Sequence, residues 1–385
     1  MNKNLKNMII VFIGFFFLSL FSNTLSPFIT TIKSTYGVSN DLIAILPPVV
    51  YCSSFIMSIV SARLQNMMTL KRGLHVGFLF AAIASIVILV SKSFYVLLVG
   101  YFISGLAVGM GTVFLTTTLS LLPKEYQKFS LGQACFGLGG ILILPIDRFI
   151  LKNNIAFNYT YIIHIICVIA FIIISSKVEV NAPCEKEDRC VNTFSILRNP
   201  LVLLLSLAIF FYVGAEISTT NWTGTFLESY YGLTKAEVPG ILSSFWILFT
   251  VGRAMGDKIL EKVGTLRFLS ISPLVSILGI FIILSGNTKI QSLIGIAVIG
   301  LSMSLVYPAI QGYVIQHVDS EYVPAASAIV TIFNNLGATF LTYIIGFAGG
   351  IKVSYVFIIQ IFFYAYIFIV ALHYLISKTG KRQLS

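Results

Sequence analysis

The chain has 385 residues, 57% of them hydrophobic and only 10% charged, with a mean hydropathy of +0.95, where soluble domains carry about 25% charged residues. That balance excludes a soluble globular enzyme, so the useful count is of apolar runs near the roughly 20 residues that a helix needs to cross hydrocarbon. The net charge of +11 could point to nucleic acid, but the basic residues form no contiguous face and no nucleic-acid partner is expected.

The apolar runs predict twelve membrane spans, at Met8–Thr31, Asp41–Ser61, Gly73–Val90, Phe94–Leu121, Leu131–Leu151, Tyr159–Ser175, Leu201–Ser229, Val238–Met255, Phe268–Ser285, Ile290–Gln316, Tyr322–Phe347 and Val353–Ile376. With the N-terminus in the cytoplasm, 18 of the 25 Lys and Arg fall on cytoplasmic segments, six fall outside and Arg148 lies within a span. This bias follows the positive-inside rule and predicts a multi-pass protein of the plasma (inner) membrane with both termini cytoplasmic. The first run is longer than the apolar core of a cleavable leader and has no small-residue cleavage site, so it reads as span 1. Cys52, Cys135 and Cys167 fall in spans, and Cys184 and Cys190 in a predicted cytoplasmic loop where thiols stay reduced. Neither these cysteines nor the four scattered histidines have metal-site spacing. No metal and no cofactor is expected, and the absence of a phosphate-binding Gly-rich loop argues against ATP drive.

The polar stretch Ser176–Pro200 divides the spans six and six. The predicted organisation is an N-terminal six-helix half over 1–176, a cytoplasmic linker over 177–199, and a C-terminal half over 200–385 with a short basic tail. Two interhelical loops at equivalent places, Ser61–Arg72 and Gly252–Arg267, suggest a weak internal repeat.

Span 7 carries the most informative residue. Glu216 sits among eighteen residues from Leu201 to Ser218 that are otherwise uncharged, and a carboxylate at that depth costs about 2.5–3.5 kcal/mol or more unless it meets water, a partner or a proton. Glu216, Thr220 and Thr223 share a face, with Asn221 and Trp222 close by. The carboxylate and amide suit hydroxyl groups, and the indole suits the C–H face of a polyhydroxylated ligand. A purely structural pairing of Glu216 with another helix is the competing reading.

Further candidates for solute binding are Asn334 and Asn335 in span 11, Tyr307 and Gln311 flanking Pro308 in span 10, Trp246 in span 8, Asn23 in span 1 and Gln133 in span 5. Pro308 predicts a break in span 10. Asp147 and Arg148, near the outer end of span 5, read as an extracellular gate or structural ion pair. Arg253, Asp257 and Arg267 read as a cytoplasmic gate, since charges at helix ends can latch two halves. His164 in span 6 reads as a packing residue.

Six plus six spans with a central loop, and Gly252, Arg253, Asp257, Lys262, Gly264 and Arg267 in the second repeated loop, resemble the major facilitator superfamily. Phe136–Pro145 (FGLGGILILP), Tyr212–Trp222 (YVGAEISTTNW) and Phe245–Asp257 (FWILFTVGRAMGD) resemble its fucose:proton symporter-like and sodium-dependent glucose transporter-like branch. Tyr101 stands where the superfamily's fourth span usually has Arg, and the buried acids of fucose-type symporters in spans 1 and 4 are missing. The resemblance implies an all-α integral membrane fold of twelve helices in two six-helix halves. It also implies a secondary active transporter that moves a small polar solute, a sugar or polyol, by alternating access. Proton or sodium is the expected coupling ion, with Glu216 the expected proton-coupling residue, and the protein is expected to be a monomer in the lipid bilayer. The alternatives are an efflux carrier for an amphipathic compound and a non-transporting sensor on the same fold.

Overall fold

The computed structural model describes residues 2–64, 67–126, 128–178, 193–318 and 322–383. Among them, eleven helical segments are long and apolar enough to cross a membrane, and Val238–Ala254 is a shorter apolar helix. In chain order these are span 1 (Lys3–Tyr36), span 2 (Asn40–Ser61), span 3 (Leu70–Leu89), span 4 (Phe94–Leu119), span 5 (Leu131–Lys152), span 6 (Phe157–Ser175) and span 7 (Pro200–Tyr231). Span 8 (Val238–Ala254), span 9 (Thr265–Ser285), span 10 (Lys289–Gln316), span 11 (Ile329–Ile351) and span 12 (Tyr355–Ser377) complete the set. The short helix Gly256–Val263 connects spans 8 and 9. Cys184, Cys190 and most of the predicted linker lie outside the described residues.

The chain divides into two compact units. One is Met1–Glu187 with Thr234–Gly240, and the other is Asp188–Leu233 with Ile241–Ser385. Each unit holds its helices together through glycines that let one backbone lie directly on another, the usual means of association where lipid removes the hydrophobic drive. In the first unit a methyl group at Gly139 of span 5 would strike the Phe16 carbonyl of span 1, and one at Gly109 of span 4 would strike the Ser54 carbonyl of span 2. The second unit repeats both contacts. Gly337 of span 11 lies against the Phe210 carbonyl of span 7, and Gly300 of span 10 against the Phe245 carbonyl of span 8. The internal repeat is therefore written in close-approach glycines as well as in loops.

Three helices depart from regularity, two of them in the second unit. Span 1 breaks at Thr24, whose hydroxyl donates to the Leu20 carbonyl at 2.9 Å. Span 10 breaks after Met303 and resumes at Val306. Pro308 has no N–H to give the Ser304 carbonyl one turn earlier, as expected of proline near a helix start. Span 11 passes through a π turn at Gly337–Leu341, a local widening that often marks functional positions.

Candidate functional site

Glu216 lies near the centre of a 32-residue helix. Its preceding turn supplies Tyr212, on the same face by i, i+4 spacing. The Tyr212 side chain is wholly buried and its hydroxyl lies within electrostatic reach of both Glu216 and Arg253. Arg253 comes from span 8. Its Nε donates to the Ser304 carbonyl at 3.2 Å, and its guanidinium sits 4.2 Å above the Phe249 ring. The carbonyl that Pro308 leaves without a helical donor is thus taken up by the cation that faces Glu216. Tyr307, beside that proline, is within reach of Glu216 and Arg253 and engages Thr331 of span 11. One half-buried carboxylate, one guanidinium and two phenols from spans 7, 8 and 10 form a single polar cluster inside the second unit.

A second, drier layer supports it. Thr219 donates to Gln360 Oε1 at 2.9 Å, and Gln360 returns its amide N–H to its own Val356 carbonyl at 2.9 Å. Tyr364 lies one turn on, within reach of Glu216 and bonded toward Met303. Ser276 and Ser302 join spans 9 and 10 at 2.7 Å. The sequence reading did not select Gln360 or Tyr364, although an amide inside the apolar run of span 12 was a legible signal.

The other candidates fall into place as follows. Trp222 is buried at 3% exposure, with its indole N–H donating to the Thr342 carbonyl at 3.1 Å and its ring against Gly346. It ties span 7 to span 11, so the expected ring face for a solute is used in packing. Asn221, 5% exposed, returns its amide to the Ile217 carbonyl at 3.0 Å. Trp246 is buried edge-on between Phe245 and Phe249. Asn335 donates to the Thr331 carbonyl of its own helix at 3.1 Å, while Asn334 is half-buried beside it. Gln311 is half-buried on span 10. In the first unit Asn23 is turned onto Ser19, at 3.0 Å to both its carbonyl and its hydroxyl, and Gln133 is exposed.

The gating assignments change most. Arg253 belongs to the Glu216 cluster rather than to a loop latch, because the Ser304 carbonyl and the Phe249 ring hold it within the helix layer. Asp257 lies on the connecting helix, its side chain outside the described set, and Arg267 is exposed. Asp147 and Arg148 do not pair. Asp147 is completely buried and Arg148 is exposed, the two side chains leaving the helix about 100° apart. Within the first unit Arg148 approaches Gly240, and Lys235 donates to Ser34 at 2.7 Å. Among the described residues no group of three or more His, Cys, Asp or Glu is placed to hold a metal ion.

Fold and site together define a polytopic α-helical membrane protein of duplicated six-helix design. The Major Facilitator Superfamily model matches residues 11–342 and 257–384, and the chain belongs to that superfamily. Similar proteins include a TsgA homologue of Buchnera aphidicola subsp. Acyrthosiphon pisum, 23% identical over 74% of each chain. A glucose/galactose transporter of Brucella abortus is 23% identical over 81% of this chain and 80% of that one. The human sodium-dependent glucose transporter 1 is 29% identical over 50% of this chain and 36% of its own. The chain spans about half the length, 50% and 52%, of two further Buchnera TsgA homologues that it matches. Among solved structures, a mutant of the nucleoside transporter NupG superposes with a TM-score of 0.80 at 14% identity, covering 97% of this chain and 99% of that one. The transporter FucP in its outward conformation gives 0.69 at 17% identity, with 97% and 99% covered. At these identities the superpositions show the shared fold.

Proposed function

We propose that the chain is a secondary active transporter that carries a small polyhydroxylated solute, a sugar in the first instance, by alternating access. The observation that carries this reading is the Glu216–Tyr212–Arg253–Tyr307 cluster. It is a set of hydrogen-bonding and charged groups that meet among apolar helices long enough to cross a membrane. Such groups are costly in a membrane and are kept where a substrate or ion passes. Carboxylate, guanidinium and phenol together offer both acceptors and donors to neighbouring hydroxyls, and a sugar presents both. The glucose/galactose transporter among the relatives supports the same solute class.

Glu216 is the proposed coupling residue, with Arg253 as the counter-charge that it engages or releases. A proton is the coupling ion favoured here, with sodium as the competing ion. Asn334, Gln311 and Asn23 remain proposed solute contacts, and Arg148 and Asp257 proposed gate residues. The inner membrane, cytoplasmic termini and a monomeric state complete the proposal.

Purified protein reconstituted in liposomes should take up labelled D-glucose, and its melting temperature should rise in the presence of that sugar, because a ligand that binds the folded state stabilises it by mass action. A panel of sugars, polyols and nucleosides that leaves both melting and uptake unchanged would sink the sugar reading.

A further inference from the structure

The first unit holds a buried acid that the cluster around Glu216 does not use. Asp147 is 0% exposed, and neither carboxylate oxygen has a hydrogen-bond partner among the described residues. The titratable groups that face it come from two neighbouring helices, Tyr101 of span 4 and Tyr161 of span 6, both within its electrostatic reach. These two phenols are joined to each other, Tyr161 donating to Tyr101 at 2.9 Å. His164, one turn beyond Tyr161, packs edge-on against it at 5.3 Å and against Phe21 at 5.4 Å. The next residue along span 5, Arg148, is exposed and turned away. Among the described residues no cation neutralises the acid.

The hydrogen bonds fix more of the chemistry. The Thr24 hydroxyl spends its proton on the Leu20 carbonyl, so at 2.7 Å it accepts from His164 Nε2. His164 then carries a proton on Nε2, and because its buried Nδ1 has no partner among the described residues, a second proton there would be an unpaired buried charge and the ring stays neutral. It supplies no positive charge to the cluster. A carboxylate sealed from water with neither hydrogen bond nor counter-ion does not stay ionised; it takes a proton. A bound metal cation fits poorly, since hard cations need several oxygen ligands and the two phenols are engaged with each other.

We infer that Asp147 is a proton-binding site of the N-terminal half, occupied in this conformation and emptied to water when the unit opens, separate from Glu216. The proton comes from bulk water onto one carboxylate oxygen and returns to water, so no other donor is needed. Its place differs from the acids of spans 1 and 4 that fucose-type symporters carry.

The test has two arms, of which only the second rests on the sugar-transport reading. In the first, infrared spectra of the purified full chain in nanodiscs are recorded at about pH 7, where an ordinary exposed carboxyl is ionised. The protonated-carboxyl C=O band should be present in the parent, persist in Glu216→Gln, and disappear in Asp147→Asn. A band unchanged by Asp147→Asn overturns the proposal. Asp147→Glu, which should retain a shifted band, guards against a folding defect, and gel filtration and melting check each variant. In the second arm, D-glucose accumulation in proteoliposomes is driven by a pH gradient of about one unit, which is worth up to about tenfold per proton. Asp147→Asn should keep solute counterflow and lose the gradient-driven accumulation. Retained accumulation would show a static proton and overturn the carrying role. If neither parent nor variant moves D-glucose, glucose is not the solute while the infrared arm still decides the site.

Discussion

Replacing Glu216 with Gln keeps the shape and much of the hydrogen bonding of the protonated acid while removing its charge. If Glu216 couples solute to proton movement, the variant should exchange labelled solute across the membrane as fast as the parent but fail to accumulate it against a gradient. Accumulation equal to the parent's across the acid-to-alkaline range would remove Glu216 from coupling, and a sodium requirement without pH dependence would recast it as a cation ligand. Arg253 tests the same cluster from the other side. Arg253→Ala deprives the buried Ser304 carbonyl of its donor, and a buried acceptor left unsatisfied costs about 1–3 kcal/mol, so thermal or denaturant unfolding should show a loss in that range. A change within experimental scatter would mean that water replaces the guanidinium. That Glu216 marks a polar centre was legible from one charge in an apolar run. The place of Arg253 was not, because a loop-like pattern of Gly, Arg and Asp suggested a latch, whereas a proline two helices away supplied the partner that holds it. Trp222 misled for a related reason. An indole suits a sugar and a helix interface equally well, and only the Thr342 carbonyl 120 residues later decides between them.

At the scale of the element, the break in span 10 and the position of Arg253 are two parts of one device. Pro308 leaves the Ser304 carbonyl without a helical donor, and Arg253 fills the vacancy from span 8. Pro308→Ala would restore a backbone N–H opposite that carbonyl. The cost of Arg253→Ala should therefore shrink in a Pro308→Ala background, and a double-mutant cycle on unfolding free energy should return a coupling of about 0.5–3 kcal/mol, the range for residues sharing a partner. Strict additivity would separate proline and arginine. The break at Pro308 could be foreseen from the chain, as could the placing of the twelve apolar helices. The interruption of span 1 at Thr24 and the π turn in span 11 could not, since neither carries a strong local signal and both are set by neighbours: His164 at Thr24, and the Phe210 backbone against Gly337. Asp147 shows the same limit. With Arg148 beside it, it read as part of a gate or structural ion pair, and its isolation appears only when spans 4 and 6 are laid against span 5.

Across the whole molecule, the two units use the same pattern of close approach, fifth helix on first and fourth on second. Gly139 on Phe16 is answered by Gly337 on Phe210, and Gly109 on Ser54 by Gly300 on Phe245. These are backbone contacts, so a methyl group cannot be accommodated by rotating a side chain. Overpacking of a well-packed interior costs about 1–3 kcal/mol, and Gly139→Ala and Gly337→Ala should each lower stability by about that much. The two sites belong to different units and share no contacting residue. Their costs should therefore add to within about 0.3–0.5 kcal/mol in the double variant, measured by denaturant unfolding in a fixed detergent. By contrast, Gly109→Ala combined with a bulkier residue at Ser54 meets the same contact twice, and should depart from additivity by about 0.5–3 kcal/mol. If Gly139 and Gly337 couple as strongly as that same-contact pair, the two halves do not stabilise themselves independently, and the duplicated pattern would serve their association rather than the fold of each.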